Sequence, residues 1–509
     1  MSDISAPSPP RTRISPGASL EASPSRLRAL AEASNRGVRR LVFGPQRRTP
    51  FGSDVRNGLV YSIYDVAFFA VAAAMLAGAY VTGYALHLGF TDFHIGLLGA
   101  IPMLAGLTGL LGSWLAEATG KRRGVVLWMA GLGRLLWLPL VVLPFCGLEQ
   151  RTLVWSVLLC YGGASLLQGV ASGPWLAWMG DLVPDTIRGR FWGRRNEVVQ
   201  LASAAGLVLG GWSLDQFIAA GHELQGYVFL FSLGLVFAAV SMFCLVKQHH
   251  PPVQAAQRQA SLLKGLRAAL GARQFRGLLV AGAIFNVGVG ISGAFIAPYM
   301  LQDLGMSFSE ISGWSVYSLL CGFVASRYFG KAMDKHGVLP VMKFNLLLSS
   351  LIPLLWILCM DFGWWMMALN WTVAGAGWAG YGLAALNWAF AFAPKEGRSY
   401  ALALPGIVGG LGFFAASTLA GVIATLLPDF RVTVGPFTFV PIHVLLLLSL
   451  IGRFVGMHNY MKLRDTDSPG LRPIFTMQIN LNYVRWMNIA RIGRGYKTSP
   501  EERDGGEAA

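Results

Sequence analysis

The chain has 509 residues, 54% of them hydrophobic and only 13% charged, against about 25% charged in soluble domains. Too few polar groups remain to cover a soluble surface of this size, which excludes an ordinary soluble enzyme and a disordered chain, and five cysteines with no metal-ligand spacing exclude a disulfide scaffold and a zinc site. A net charge of +16 would suggest nucleic acid in a soluble protein, but in so apolar a chain the question is which side of a bilayer the charges occupy.

Residues 1–55 are rich in Pro, Ser and Arg and hold no apolar run long enough for a signal peptide. They read as a basic, mostly disordered cytoplasmic tail whose Arg36, Arg39 and Arg40 lie on anionic lipid headgroups.

From residue 57 the sequence becomes a series of apolar runs, each long enough to cross a bilayer as a helix. Twelve spans are predicted, near 58–86, 94–117, 124–146, 152–176, 193–217, 225–247, 275–302, 310–331, 338–360, 363–391, 401–427 and 437–460. The fold class is therefore all-α and polytopic. Residues 56–248 form one six-helix bundle and 275–461 a second, joined by a polar central loop at 249–274 and followed by a tail at 462–509.

Orientation follows from the loop cations. The loops after even-numbered spans carry fourteen Lys and Arg, Lys121, Arg122, Arg123 and Lys395 among them, whereas the loops after odd-numbered spans carry only Arg151 and Arg431. The positive-inside rule puts both termini in the cytoplasm. Arg outnumbers Lys by 32 to 9, a bias that points to a GC-rich bacterial genome and so to the inner membrane.

The two halves repeat. Ser113, Glu117 and Gly120 are spaced by four and three, as are Gly330, Asp334 and Gly337, at an offset of 217 residues. Trp178, Pro184 and Arg188 are spaced by six and four, as are Trp388, Pro394 and Arg398, at an offset of 210. Two motifs in the same order at nearly one offset indicate duplication of a six-helix unit. Pro184 is expected to stop the fourth span, with Asp181 and Asp185 pairing with Arg188, Arg190 or Arg194.

At these residues the chain resembles the major facilitator superfamily, whose loop after the second helix has the form G-x-x-x-D-[RK]-x-G-[RK]-[RK]. Gly330, Asp334, Lys335 and Gly337 match the core of it, while the first half has Ser113 for Gly, Glu117 for Asp and Ala118 for the first base. The resemblance covers about residues 57–461. It implies two bundles around a central cavity, and a cytoplasmic latch built on Glu117, Gly120, Lys121, Arg122, Asp181 and Arg188 in one half and Gly330, Asp334, Lys335, Gly337 and Arg398 in the other. Span 4 lacks the Arg of the family's antiporter R-x-x-Q-G pattern, reading Ser165-Leu166-Leu167-Gln168-Gly169, and span 5 lacks the Pro of the antiporter motif.

Ionisable groups inside spans are costly and functional by default. Two stand out: Asp65, about two turns into span 1, and Arg134 in the middle of span 3. Asp65 is the proton-coupling candidate; alone it would exchange a proton, and paired with Arg134 it would stay ionised. Arg327 and Arg453 lie near span ends, where snorkelling accounts for them. Tyr161, Ser165 and Gln168 share one face of span 4 and Trp371, Trp378 and Tyr381 one face of span 10; with Tyr61, Asn286 and Tyr299 they are the candidate cavity lining. The Gly288–Gly293 G-x-G-x-x-G lies inside a span and reads as close helix packing rather than a nucleotide loop.

These features predict a secondary transporter that moves a small, amphipathic organic solute by alternating access, coupled to protons, acting as a monomer, with no cofactor, metal or nucleic acid. With no catalytic constellation in the sequence, an enzyme is not expected. The other reading is a non-transporting membrane scaffold or sensor on a transporter-like fold.

Overall fold

The computed structural model describes residues 52–251, 267, 270–392 and 398–463, with 398–400 as backbone only. The arginine-rich segment through Arg48, most of the central loop, Pro394 and the 464–509 tail lie outside the described residues.

The first half contains α1 (Ser53–Met75), α2 (Gly78–His87), α3 (Asp92–Ala100), α4 (Ala105–Thr119), α5 (Arg122–Leu135), α6 (Leu138–Val142), α7 (Gln150–Leu182), α8 (Arg188–Ala219) and α9 (Glu223–Lys247). The second contains α10 (Arg273–Gly293), a short turn at Ile296–Pro298 running into a π-helical turn at Tyr299–Asp303, α11 (Phe308–His336), α12 (Val338–Phe392), α13 (Arg398–Leu426), β1 (Val432–Val434), β2 (Phe437–Phe439) and α14 (Pro441–Met461). Ten of the helical segments are long and apolar enough to cross a membrane, as a multi-pass membrane protein requires.

Several boundaries differ from the sequence reading for local reasons. The first predicted span breaks at Leu76–Ala77 because Gly78 takes a positive φ of 62°. The predicted loop between spans 9 and 10 is absorbed into the 55-residue α12, interrupted at Gly363 with φ 62° and ψ −145°. The chain reverses there. Trp356 and Trp371 would stand about 22 Å apart along a continuous helix at 1.5 Å per residue, yet their ring centroids are 5.7 Å apart. The last predicted span starts late, at Pro441, because Phe437–Phe439 pairs antiparallel with Val432–Val434 in a small hairpin. As expected, α7 ends just before Pro184, at Leu182.

α11 has 29 residues and falls outside the ten apolar segments; Glu310, Arg327, Lys331, Asp334 and Lys335 dilute its apolar character.

Each half packs mainly on itself. In the first, α9 and α8 lie on α1, and α5 and α4 lie on α7; in the second, α13 and α14 lie on α10, and α11 lies on α12. Small residues allow these approaches. A Cβ on Gly112 would stand 1.8 Å from the Val170 carbonyl oxygen, and one on Gly288 2.4 Å from the Arg453 nitrogen, so the glycine-rich stretch of α10 packs closely on α14. The halves meet mainly through α3 against α13 and α8 against α11.

Candidate functional site

Arg134 in the first half and Arg453 in the second are both buried, and the two guanidiniums are balanced differently. In the first half Asp65 of α1 is 5% exposed and faces α5 and α9. Ser241 donates to Asp65 Oδ1 at 2.6 Å, and Arg134 Nη2 reaches the same oxygen at 3.5 Å and donates to Ser241 Oγ at 3.0 Å. The Arg134 guanidinium also lies 5.1 Å from the centre of the Phe69 ring. Of the two states considered for Asp65, the structure holds the paired one, within the first bundle's own core.

In the second half Arg453 of α14 is 4% exposed. It donates to the Ser349 carbonyl at 2.8 Å, to Ser449 Oγ at 3.2 Å and to Ser292 Oγ at 3.3 Å. This corrects the snorkelling expectation: the guanidinium turns into the bundle and finds neutral oxygens. Among the described residues no carboxylate lies within ion-pairing distance of it.

The halves are tied together at one end. Both oxygens of the Asp215 carboxylate, near the end of α8, accept backbone N–H groups at the start of α11, from Phe308 at 3.0 Å and Ser309 at 2.8 Å. A carboxylate here satisfies otherwise unpaired N–H groups and meets the positive end of the helix dipole. Beside it, Tyr80 Oη bonds Ser312 Oγ at 2.7 Å and donates to the Leu207 carbonyl. On the α3–α13 contact, Ser417 donates to the Gly96 carbonyl at 2.9 Å. A Cβ on Gly96 would stand 2.7 Å from the Ser417 carbonyl oxygen, and one on Gly211 2.6 Å from that of Phe308. All these contacts lie at the end opposite the Lys121–Arg123 loop.

Solved structures share the fold. A nucleoside transporter, NupG, matches over 81% of this chain and 99% of its own, at a TM-score of 0.60 and 13% identity. A D-xylose–proton symporter matches over 82% and 100%, at 0.63 and 13%. An auto-inhibited POT-family peptide transporter matches over 81% and 99%, at 0.59 and 10%. The chain has a major-facilitator-type transporter fold. No protein-family model matches the sequence, and no curated protein matches it.

Within this major-facilitator fold the repeated loop motif separates into parts. Gly120 ends α4 with φ 65° and Gly337 ends α11 with φ 84°, so the repeated glycine is in both halves a helix stop that a side chain would strain. Glu117, Lys121, Asp334 and Lys335 are exposed, and Gly330 lies inside α11. Arg122 is buried and pairs with Asp181 at 2.7 Å, joining the α4–α5 loop to the end of α7. Asp181 thus meets Arg122 rather than the downstream arginines of its own loop. Arg188 pairs with Asp185 at 2.6 Å and donates to the Gly180 carbonyl, while Arg194 takes Glu197 at 2.9 Å. Arg398 begins α13, and its side chain lies outside the described residues.

The predicted lining divides as well. Trp378 and Tyr381 cluster with Phe285 at centroid distances of 6.2 and 5.5 Å, Tyr381 Oη meets Tyr460 Oη at 3.1 Å, and Arg453 stands 5.9 Å from the Trp378 ring. Asn286 sits against Gly409 of α13, where an added Cβ would be 3.0 Å from its amide. Tyr61 and Gln168 are half-buried, and Ser165 returns its hydroxyl to the Tyr161 carbonyl at 3.0 Å. That bond satisfies the serine within its own helix, so its polarity alone does not require a cavity. Three residues pack in cores instead: Tyr161 is 9% exposed among the first half's apolar residues, and Trp371 packs on Trp356. Tyr299, fully buried, bonds His443 Nε2 at 3.0 Å. Sequence reasoning missed Asp215, Tyr80 and Ser312. An acid near a span end draws no attention until the opposing helix start is known.

Proposed function

We propose that the chain is a secondary active transporter of a small, amphipathic organic solute, working by alternating access between two six-helix bundles. The observation that carries this is the one-ended closure: one buried cluster lies wholly within each half, the cluster that joins the halves does so through Phe295, Phe308, Ala420 and Leu445, and the named hydrogen bonds between halves all lie opposite the cationic loop. A rocking motion then opens one end as the other closes. The reading takes twelve crossings, by counting α11 and treating α12 as two helices about Gly363. It places both termini and the cationic loops in the cytoplasm of a bacterial inner membrane, the chain acting as a monomer and anionic lipids lying along the basic surfaces.

Trp378, exposed and backed by Tyr381 and the buried Phe285, supplies an aromatic surface for an apolar solute face. Proton coupling is assigned to Asp65: it stays ionised while Arg134 holds it, and takes a proton when an alternate packing of α1 against α5 and α9 separates the two. Reconstitution into proteoliposomes tests both parts. Solute uptake should follow an imposed pH gradient in the wild type and lose that dependence in Asp65→Asn. Flux indifferent to the gradient in both would remove proton coupling, and no flux across a broad solute panel would remove transport itself.

A further inference from the structure

The repeated tryptophans are served differently in the two halves. Trp178 is buried at the end of α7, and its indole N–H donates to the His249 carbonyl at 2.8 Å, from the segment that follows α9. The His250 ring lies 5.1 Å from the Trp178 ring. Its counterpart Trp388, 1% exposed, has no hydrogen-bond partner for its indole nitrogen among the described residues. A buried indole donor normally has an acceptor, and an unmet one costs about 1–3 kcal/mol.

Trp388 instead lines a cavity of about 730 Å³ between the start of α10 and the end of α14. Arg273, Arg276 and Lys462 line it too, with Asn459 and Val280, and among the described residues no carboxylate lines it. Arg273 is the first residue of α10, so the positive end of that helix adds to the field. Three cations and an amide around one concavity, with an unmet indole donor buried in its wall, call for a ligand that is anionic and rich in acceptor oxygens.

We propose that this cavity binds a phosphate group, either the headgroup of an acidic phospholipid or free phosphate. Basic pockets between membrane helices have the chemistry to hold such headgroups. Arg273 and Arg276 supply guanidinium donors suited to phosphate oxygens and Lys462 adds charge, while Trp388 Nε1, buried in the cavity wall, would gain its missing acceptor by a turn of the indole on binding. The site is independent of the transport reading, because it needs neither a solute nor motion of the halves.

The full-length protein in detergent is titrated with short-chain phosphatidylglycerol, with short-chain phosphatidylcholine, and with inorganic phosphate at constant ionic strength. Bound lipid is counted by native mass spectrometry, and affinity is read by thermal shift. Phosphatidylglycerol should bind and phosphatidylcholine should not. Arg273→Gln/Arg276→Gln should weaken binding about thirtyfold, and Trp388→Phe, which keeps the ring and removes the donor, about fivefold. Saturable binding of phosphate alone, weakened by the same variants, would identify free phosphate as the source. Binding of either probe that is untouched by all these variants places the anion elsewhere and overturns the proposal. So does binding that appears only after truncation at residue 463, since the chain's own tail would then be the occupant.

Discussion

The Asp215 carboxylate of one half caps the start of α11 in the other, with Oδ2 accepting the Ser309 N–H at 2.8 Å. A single carboxylate thereby couples the end of α8 to the start of α11 across the interface. Asp215→Asn keeps the shape but removes the charge that favours a helix N-terminus, a loss of about 1 kcal/mol or somewhat more. The closed end should then open more often. Ser417→Cys in a cysteine-free background reports this, because Ser417 is fully buried between the halves. An impermeant maleimide applied from that side should label it about tenfold faster in Asp215→Asn. Unchanged labelling would show that the glycine contacts alone hold the closure.

Asp65 and Arg134 should be coupled energetically. Removing one member of a buried pair leaves the other charge unmatched and typically costs about 3–5 kcal/mol. Arg134→Met and Asp65→Asn should each lower thermal stability, and the double variant should recover much of the loss. Additive losses in a double-mutant cycle would mean that the 3.5 Å approach carries no coupling.

Arg453 should welcome a carboxylate. Its neighbours Ser292 and Ser449 are neutral, and Ser292 lies in α10, the second-half counterpart of the helix that carries Asp65. Ser292→Asp should raise stability by about 1.5–3 kcal/mol, the worth of a hydrogen bond to a charged group. The same change in an Arg453→Met background should destabilise, since the carboxylate then has no partner. A stability loss in both backgrounds would show that the serine cage is already the better solvation shell.

His250 predicts a pH dependence. Burial lowers its pKa, and the nearby Arg122 and Arg123 lower it further, against a smaller opposing effect of Asp181. The folded state therefore favours the neutral ring. This contribution is fully present above the unfolded value of about 6.5 and is lost as pH falls through the lower folded value. Melting temperature should drop between pH 7.5 and pH 5, with a shallower drop in His250→Gln. Identical profiles would remove His250 as a contributor.

Much of the architecture was legible in the chain because lipid imposes it. Apolar runs must be helices or closed barrels, and runs of this length are helices. The repeated motifs at offsets of 217 and 210 predicted a duplicated unit, and solved transporter structures share the chain's fold. Gly120 and Gly337 were visible as a pattern, though their part as helix stops required backbone angles. The lining was less legible: a polar or aromatic stripe on a helix looks the same whether it faces a cavity, a neighbouring helix or its own carbonyls, as Tyr299 and Ser165 show.

Hydropathy, charge order and internal repetition are local along the chain, so the sequence by itself determined a helical, multi-pass membrane protein and predicted a repeated unit within it. It could not decide pairings between residues far apart in number. Asp65 with Arg134, Arg453 with three serines, Asp215 with a helix start 93 residues on, and Trp388 with a cation-lined cavity rather than a carbonyl were all decided by tertiary structure. A buried charge or donor takes whatever partner the packing brings within hydrogen-bond reach, and packing depends on the rotation and approach of whole helices.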